Sequence, residues 1–117
     1  MITVYGLKTC DTCRKARKWL DGAGIAHRFH DVRGDDLDRA TVAAWADELG
    51  VEALLNRRGT TWRGLSEADR AGADGDGAVD LMTAHPALIK RPVFDLGGRR
   101  LVGFGAAERA ALADAKG

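Results

Sequence analysis

The elements read from the sequence run β-α-β-α…β-β-α and predict an α/β fold. The expected architecture is a mixed four-stranded sheet flanked by helices, with a helical segment inserted at about residues 50–85. Three observations predict it. A β-branched and aromatic run, Ile2-Thr3-Val4-Tyr5, leads through a loop into a helical pattern. Two strand-like runs near the end of the chain are separated by Gly97-Gly98. Most of what lies between these two halves has helical spacing or turn chemistry.

The first strand covers residues 2–5, and Gly6 to Thr9 form a loop. A helix starts at Asp11 or Thr12, carries Ala16, Trp19, Leu20 and Ala23 at helical spacing, and ends at Gly22 or Gly24. In residues 25–32, Ile25, His27 and Phe29 alternate with Ala26, Arg28 and His30, which predicts a second strand. Asp38 suits the N-cap of a helix reaching Leu49, with Val42, Trp45 and Leu49 facing inward and Gly50 stopping it. A short turn, 51–55, precedes the basic segment 56-NRRGTTWRGL-65. Ser66 and Asp69 resemble a capping-box start for a short helix. Residues 72–77 read as loop and 78–84 as helix, limited by Pro86. The runs 93–96 and 99–104 read as a hairpin, since a two-residue tight turn favours positive φ, and 106–115 closes the chain as a helix. This is the element order of a thioredoxin-type fold.

A chain of 117 residues fits one domain able to bury a core without metal or disulfide support. Its residues are 45% hydrophobic and 30% charged, an ordinary globular balance. A formal net charge of +1 provides no global field toward nucleic acid or anionic lipid, so neither a direct nucleic-acid role nor a membrane role is expected. No stretch approaches the ~20 apolar residues of a membrane span. Met1 leads straight into the first strand without a basic or long apolar leader, so the expected compartment is the cytosol. The chain is expected to act as a monomer.

Cys10 and Cys13 are the two cysteines of the chain, in a C-x-x-C directly after the first strand and loop. A thiol reacts as the thiolate, and a helix N-terminus lowers a thiol pKa through its free N–H groups and positive dipole end. Cys10 sits just before the first helical turn and Cys13 one turn inside, with Lys8, Arg14 and Lys15 nearby. Cys10 is therefore the expected nucleophile, with Cys13 resolving its mixed disulfide or closing the internal one. A structural zinc site takes about four protein ligands. One cysteine pair and three histidines without paired spacing do not supply them, so no metal is expected. Two inert buried cysteines are the other alternative, and the strand–loop–C-x-x-C–helix context favours redox chemistry over both.

Two further signals lie outside that motif. In a thioredoxin-type fold a cis-proline opens the third strand beside the reactive cysteine, and Pro92, directly before Val93-Phe94, is placed for that role. An ordinary trans proline opening a strand is the alternative. Arg91 precedes it and would reach the same pocket. The segment Arg57-Arg58-Gly59-Thr60-Thr61-Trp62-Arg63 reads as an anion-binding loop or as a solvated one, because guanidinium groups suit carboxylates and oxyanions.

Four stretches, 5-YGLKTCDTCRKA-16, 50-GVEALLNRRGTTWR-63, 85-HPALIKRP-92 and 101-LVGF-104, resemble the arsenate reductase (ArsC)/Spx family, nearest its small YffB-like branch. The resemblance spans nearly the whole chain. It implies a thioredoxin-like fold with an inserted helical part and a nucleophilic cysteine, carried here by Cys10. In its glutaredoxin-coupled arsenate reductases three arginines surround the oxyanion and glutathione resolves the adduct. Arg91 matches one of these, and Arg58 matches another, with Arg57 competing. Gly103 stands where a third arginine is expected, and Gly6 where a histidine is expected upstream of the cysteine. These departures disfavour arsenate as substrate. The YffB-like branch implies a glutathione-dependent thiol reductase with no bound cofactor and with glutathione as co-substrate. Lys8, Arg58, Arg91 and Pro92 are then the expected substrate contacts beside Cys10 and Cys13. Cys13 also restores the C-x-x-C of the Spx redox switch, so the alternative expectation is a regulator that binds the RNA polymerase α subunit.

Overall fold

The computed structural model describes residues 1–34 and 37–116. The chain divides into two compact units: Met1–Asp31 together with the chain from Arg91 onward, and Val32–Lys90. The first unit holds the sheet. Strands β1 (Ile2–Gly6), β2 (His27–Asp31), β3 (Val93–Asp95) and β4 (Arg100–Val102) lie in the order β2-β1-β3-β4. β1 runs parallel to β2 and antiparallel to β3, and β3 is antiparallel to β4, so the four-stranded sheet is mixed. With α1 (Asp11–Gly22) and α7 (Ala106–Lys116) packed on it, this is the expected thioredoxin-like fold.

Alternation in β1 puts Ile2, Val4 and Gly6 on one buried face. Helix α1 lays Cys13, Ala16 and Leu20, each fully buried, on its inner face. Ile2, Val4, Ala16 and Leu20 join Ile25, Phe94 and Leu112 in one core, and Trp19, Phe29, Leu101 and Phe104 cover its margin. Gly24, at φ 68°, ends α1 by letting the Ile25 amide donate back to the Leu20 carbonyl at 2.9 Å. The Gly97-Gly98 turn closes with Leu96 N–H donating to the Arg99 carbonyl at 2.9 Å, and only Gly97 has positive φ. That is the pattern of a type II′ hairpin.

The second unit is helical: α2 (Arg39–Leu49), α3 (Val51–Leu54), α4 (Thr60–Arg63), α5 (Glu67–Ala71), α6 (Gly75–Ala84) and a 3₁₀ turn, Pro86–Leu88. Asp38 caps α2 by accepting from the Thr41 amide at 2.9 Å, and Ser66 caps α5 by accepting from the Asp69 amide at 3.1 Å. Helix α2 packs on α6, with Val42, Trp45, Val79 and Met82 buried. An antiparallel bridge, Leu55↔Ile89, ties the chain after α3 to the chain after the 3₁₀ turn. It is flanked by Asn56 N–H to Leu88 carbonyl and Lys90 N–H to Leu54 carbonyl, both 2.7 Å.

Several sequence readings shift. Residues 51–54 form a helical turn rather than an open one, and 60–63 make another inside the basic segment. α6 begins at Gly75, although 72–77 read as loop. The glycine there serves close approach: a Cβ on Gly77 would lie 2.0 Å from the Gly72 carbonyl oxygen. The compact helical unit runs Val32–Lys90, with α2 packed on α6. β2 is shorter than read, and β4 ends at Val102, before Gly103. No described helix is long and apolar enough to cross a membrane.

Phe94 is the largest fully buried side chain and sits at the centre of the sheet unit's core. Phe94→Ala is expected to lower the unfolding free energy by about 3–5 kcal/mol in urea titrations. A loss below about 1 kcal/mol would mean that this core is not the one that holds the sheet unit.

Candidate active site

The loop between β1 and α1 is built from its backbone outward. Leu7 is buried, and its carbonyl accepts from the Cys10 amide at 3.1 Å. Asp31, buried at the end of β2, accepts from the Lys8 amide at 3.2 Å. A carboxylate at the C-terminal end of a parallel strand thus holds the loop that leads to Cys10. Sequence reading passed over Asp31, whose only signal was an acid closing an otherwise strand-like run. Cys10 then takes the N-cap of α1 with extended backbone, φ −84° and ψ 121°, and its carbonyl accepts from the Arg14 amide at 3.0 Å.

The two thiols have opposite surroundings. Cys10 is partly exposed, whereas Cys13 is fully buried. Burial works against a Cys10 thiolate, but the Cys13 amide and thiol and the Arg91 guanidinium outweigh it and hold its pKa below the ordinary thiol value. Cys13 is pushed up to about 12, chiefly by burial and then by facing the Cys10 sulfur; the Leu7 amide and the Arg91 charge offset only part of this. The surroundings therefore ease ionisation of the Cys10 thiol and oppose that of Cys13.

Arg91 and Pro92 reach the pair through sheet pairing. β3 pairs with β1 in the register Tyr5↔Val93, so the residues before Val93 arrive beside the loop after Gly6. The Arg91–Pro92 peptide is cis, as the fold context predicted, and Pro92 is buried. Its carbonyl accepts from the Gly103 amide at 2.9 Å. Gly103 has φ 92°, in the left-handed region that disfavours any residue with a side chain. The position expected to hold a third arginine therefore has a backbone that suits glycine. Lys8 is exposed; its amide anchors the loop, and its side chain is not among the groups that lower the Cys10 pKa.

Arg58 stands in the helical unit, where the structure separates it from its competitor Arg57. Arg57 donates to Glu52 at 2.8 Å and to the Ala73 carbonyl at 3.0 Å, and its guanidinium lies 5.0 Å from the Trp62 ring centroid. It braces α3 and α4. Arg58 is exposed, and among the described residues no acid pairs with its guanidinium. With Glu52, Leu55, Asn56, Arg57 and Lys90 it lines an open pocket of about 390 Å³. The Leu55↔Ile89 bridge puts Lys90 on the same pocket as Arg58. Among the described residues no cluster of His, Cys, Asp and Glu has the make-up of a metal site.

Thioredoxin-like folds carry their reactive cysteine at this strand-to-helix junction, and the chemistry that the junction supports here is that of a thiol oxidoreductase. The chain belongs to the ArsC family, whose profile matches residues 5–112. The structure of a YffB protein superposes with a TM-score of 0.91 at 47% identity, covering 97% of this chain and 99% of that one. An arsenate reductase (ArsC) related protein from Brucella melitensis superposes at 0.76 with 44% identity, covering 94% and 92%. The global transcriptional regulator Spx of Streptococcus pyogenes is 27% identical over 106 residues, 89% of this chain and 78% of the regulator.

Arg91→Ala removes one donor and one positive charge from the Cys10 sulfur. Carboxymethylation of Cys10 at neutral pH is expected to slow several-fold, and its pH profile to move to higher pH. Arg91→Lys, which keeps the charge and loses the guanidinium fork, should fall between. An unchanged profile in Arg91→Ala would remove Arg91 from the site.

Proposed function

We propose that this chain is a glutathione-dependent thiol–disulfide reductase with Cys10 as nucleophile. The observation that carries the reading is the pairing of a thiolate-favouring Cys10 with a buried, protonated Cys13. The Cys10 thiolate attacks one sulfur of a disulfide substrate, forming a mixed disulfide and releasing the other sulfur as a thiolate that takes a proton from water. Glutathione thiolate then attacks the mixed disulfide at the Cys10 sulfur and expels the second substrate thiol. A second glutathione releases Cys10 as thiolate and leaves as oxidised glutathione. Two glutathiones are oxidised for each disulfide reduced. Cys13 resolves the mixed disulfide in their place only when its own proton has gone, and its raised pKa makes this the slower route at neutral pH. Arg91 holds the developing negative charge at the sulfur. Pro92 shapes the ground beside it, and Arg58 and Lys8 supply further anion contacts on this reading.

Incubating the reduced protein with oxidised glutathione and taking its intact mass tests this. An adduct of one glutathione on Cys10 is expected at neutral pH. Its conversion to the internal disulfide should quicken as pH rises, because burial keeps the Cys13 thiol protonated and its thiolate fraction grows with pH. Cys10→Ser should abolish both the adduct and reductase activity; surviving activity would overturn the mechanism. Arg58→Ala should raise the KM for glutathione several-fold with little change in Tm. Arg57→Ala should lower Tm instead, since it breaks the contacts with Glu52, Ala73 and Trp62.

The C-x-x-C supports a second reading, a redox-sensing transcriptional regulator that binds RNA polymerase; the S. pyogenes relative is named a global transcriptional regulator. Immediate loss of two hydrogens with no adduct, together with oxidation-dependent co-purification with the polymerase α subunit, would favour it. Arsenate reduction has less support, because Gly103 occupies left-handed backbone where an arginine side chain would be required.

A further inference from the structure

Gly6 is the last residue of β1 and faces the same buried side as Ile2 and Val4, beneath α1. The default occupant of such a position is a β-branched or other apolar side chain, and glycine in a strand weakens it. Backbone conformation does not call for glycine here, because φ at Gly6 is not positive. Space does. A Cβ built on Gly6 would lie 2.4 Å from the Cys13 Sγ, 3.3 Å from the Cys13 Cβ and 3.5 Å from a ring carbon of Phe29. The sulfur of Cys13, fully buried, thus fills the volume that a third apolar side chain of β1 would take.

We propose that Gly6 is the positioning residue of the cysteine pair. By leaving that volume empty, it lets the Cys13 thiol sit beneath β1 with its hydrogen aimed at the Cys10 sulfur. The groups that act on the Cys10 sulfur are Cys13 from α1 and Arg91 from the segment before β3. Gly6 works through the first and leaves the second untouched. Even a methyl group at position 6 would overlap the Cys13 sulfur where it stands, so the thiol would have to turn away from that place. In this chain the position read as a departure from the arsenate reductase pattern is where the Cys13 sulfur finds its room. The inference deepens the reading of Cys10 as nucleophile and rests on it.

The test is a double-mutant cycle on Gly6→Ala and Cys13→Ala, read by the pH profile of Cys10 carboxymethylation and by urea unfolding. Cys13→Ala removes a donor to the thiolate, so the Cys10 profile should move to higher pH and the rate at neutral pH should fall several-fold. Gly6→Ala should reproduce that shift by displacing the sulfur, with a loss of stability. The double variant should match Cys13→Ala in its profile. In the Cys13→Ala background the Gly6→Ala change should cost far less stability than in the wild type, because the methyl then fills the vacated space.

A folded Gly6→Ala with a wild-type profile would overturn the proposal, as would a further shift when Gly6→Ala is added to Cys13→Ala. If Gly6→Ala fails to fold, the double variant decides: folding with the Cys13→Ala profile supports the proposal, and failure to fold overturns it. The reading of Cys10 as nucleophile is tested apart from this, by Cys10→Ser activity, so the two can fail independently.

Discussion

The site depends on one sulfur held between a helix end and a neighbouring strand. Cys10 occupies the N-cap of α1, where free amides and the positive end of the helix favour negative charge. The same sulfur receives Arg91, which arrives because β3 lies antiparallel to β1 in the register Tyr5↔Val93. β1 is therefore the strand on which the chemistry turns. It pairs with β2 on one side, whose terminal Asp31 pins the Lys8 amide, and with β3 on the other, whose approach brings Arg91 and the cis-peptide. A slip in either register would move a donor away from the sulfur and expose the core face of β1.

Two thiols three residues apart are set to opposite tasks by their surroundings alone. Cys10 borders solvent and faces donors. Cys13 is fully buried with its sulfur against Gly6 of β1, and the Leu7 amide is its compensating donor. Neighbouring groups whose environments push their pKa values apart are how one fold separates nucleophile from proton donor. The arrangement eases ionisation at Cys10 and opposes it at Cys13.

The helical unit carries the same division between scaffold and chemistry. Arg57 and Arg58 are adjacent in sequence, yet Arg57 is consumed by Glu52, the Ala73 carbonyl and Trp62, while Arg58 opens onto a polar pocket. Gly103 is the converse case. An arginine there would have to adopt left-handed backbone and give up the glycine's ease of donating to the Pro92 carbonyl. Loss of that arginine is thus written into the backbone of the turn after β4 and goes beyond the surface of the site.

The sequence by itself determined the parts that depend on local order. The strand run 2-ITVY-5, the C-x-x-C at a helix start, the spacing of Ala16 and Leu20, the caps Asp38 and Ser66 and the Gly97-Gly98 turn are all short-range chemistry, and each stands where it was read. The fold context added Pro92 and Arg91, which no local rule would have joined to Cys10. Only the tertiary structure decided that Asp31 holds the loop, that Arg57 is structural, that α6 begins at Gly75 and that Gly6 makes room for Cys13. Apart from the start of α6, each of these is a contact that sequence order does not display. Helical and strand periodicity report which way one element faces, whereas the volume left for a sulfur or a carboxylate is set by what the neighbouring element brings against it.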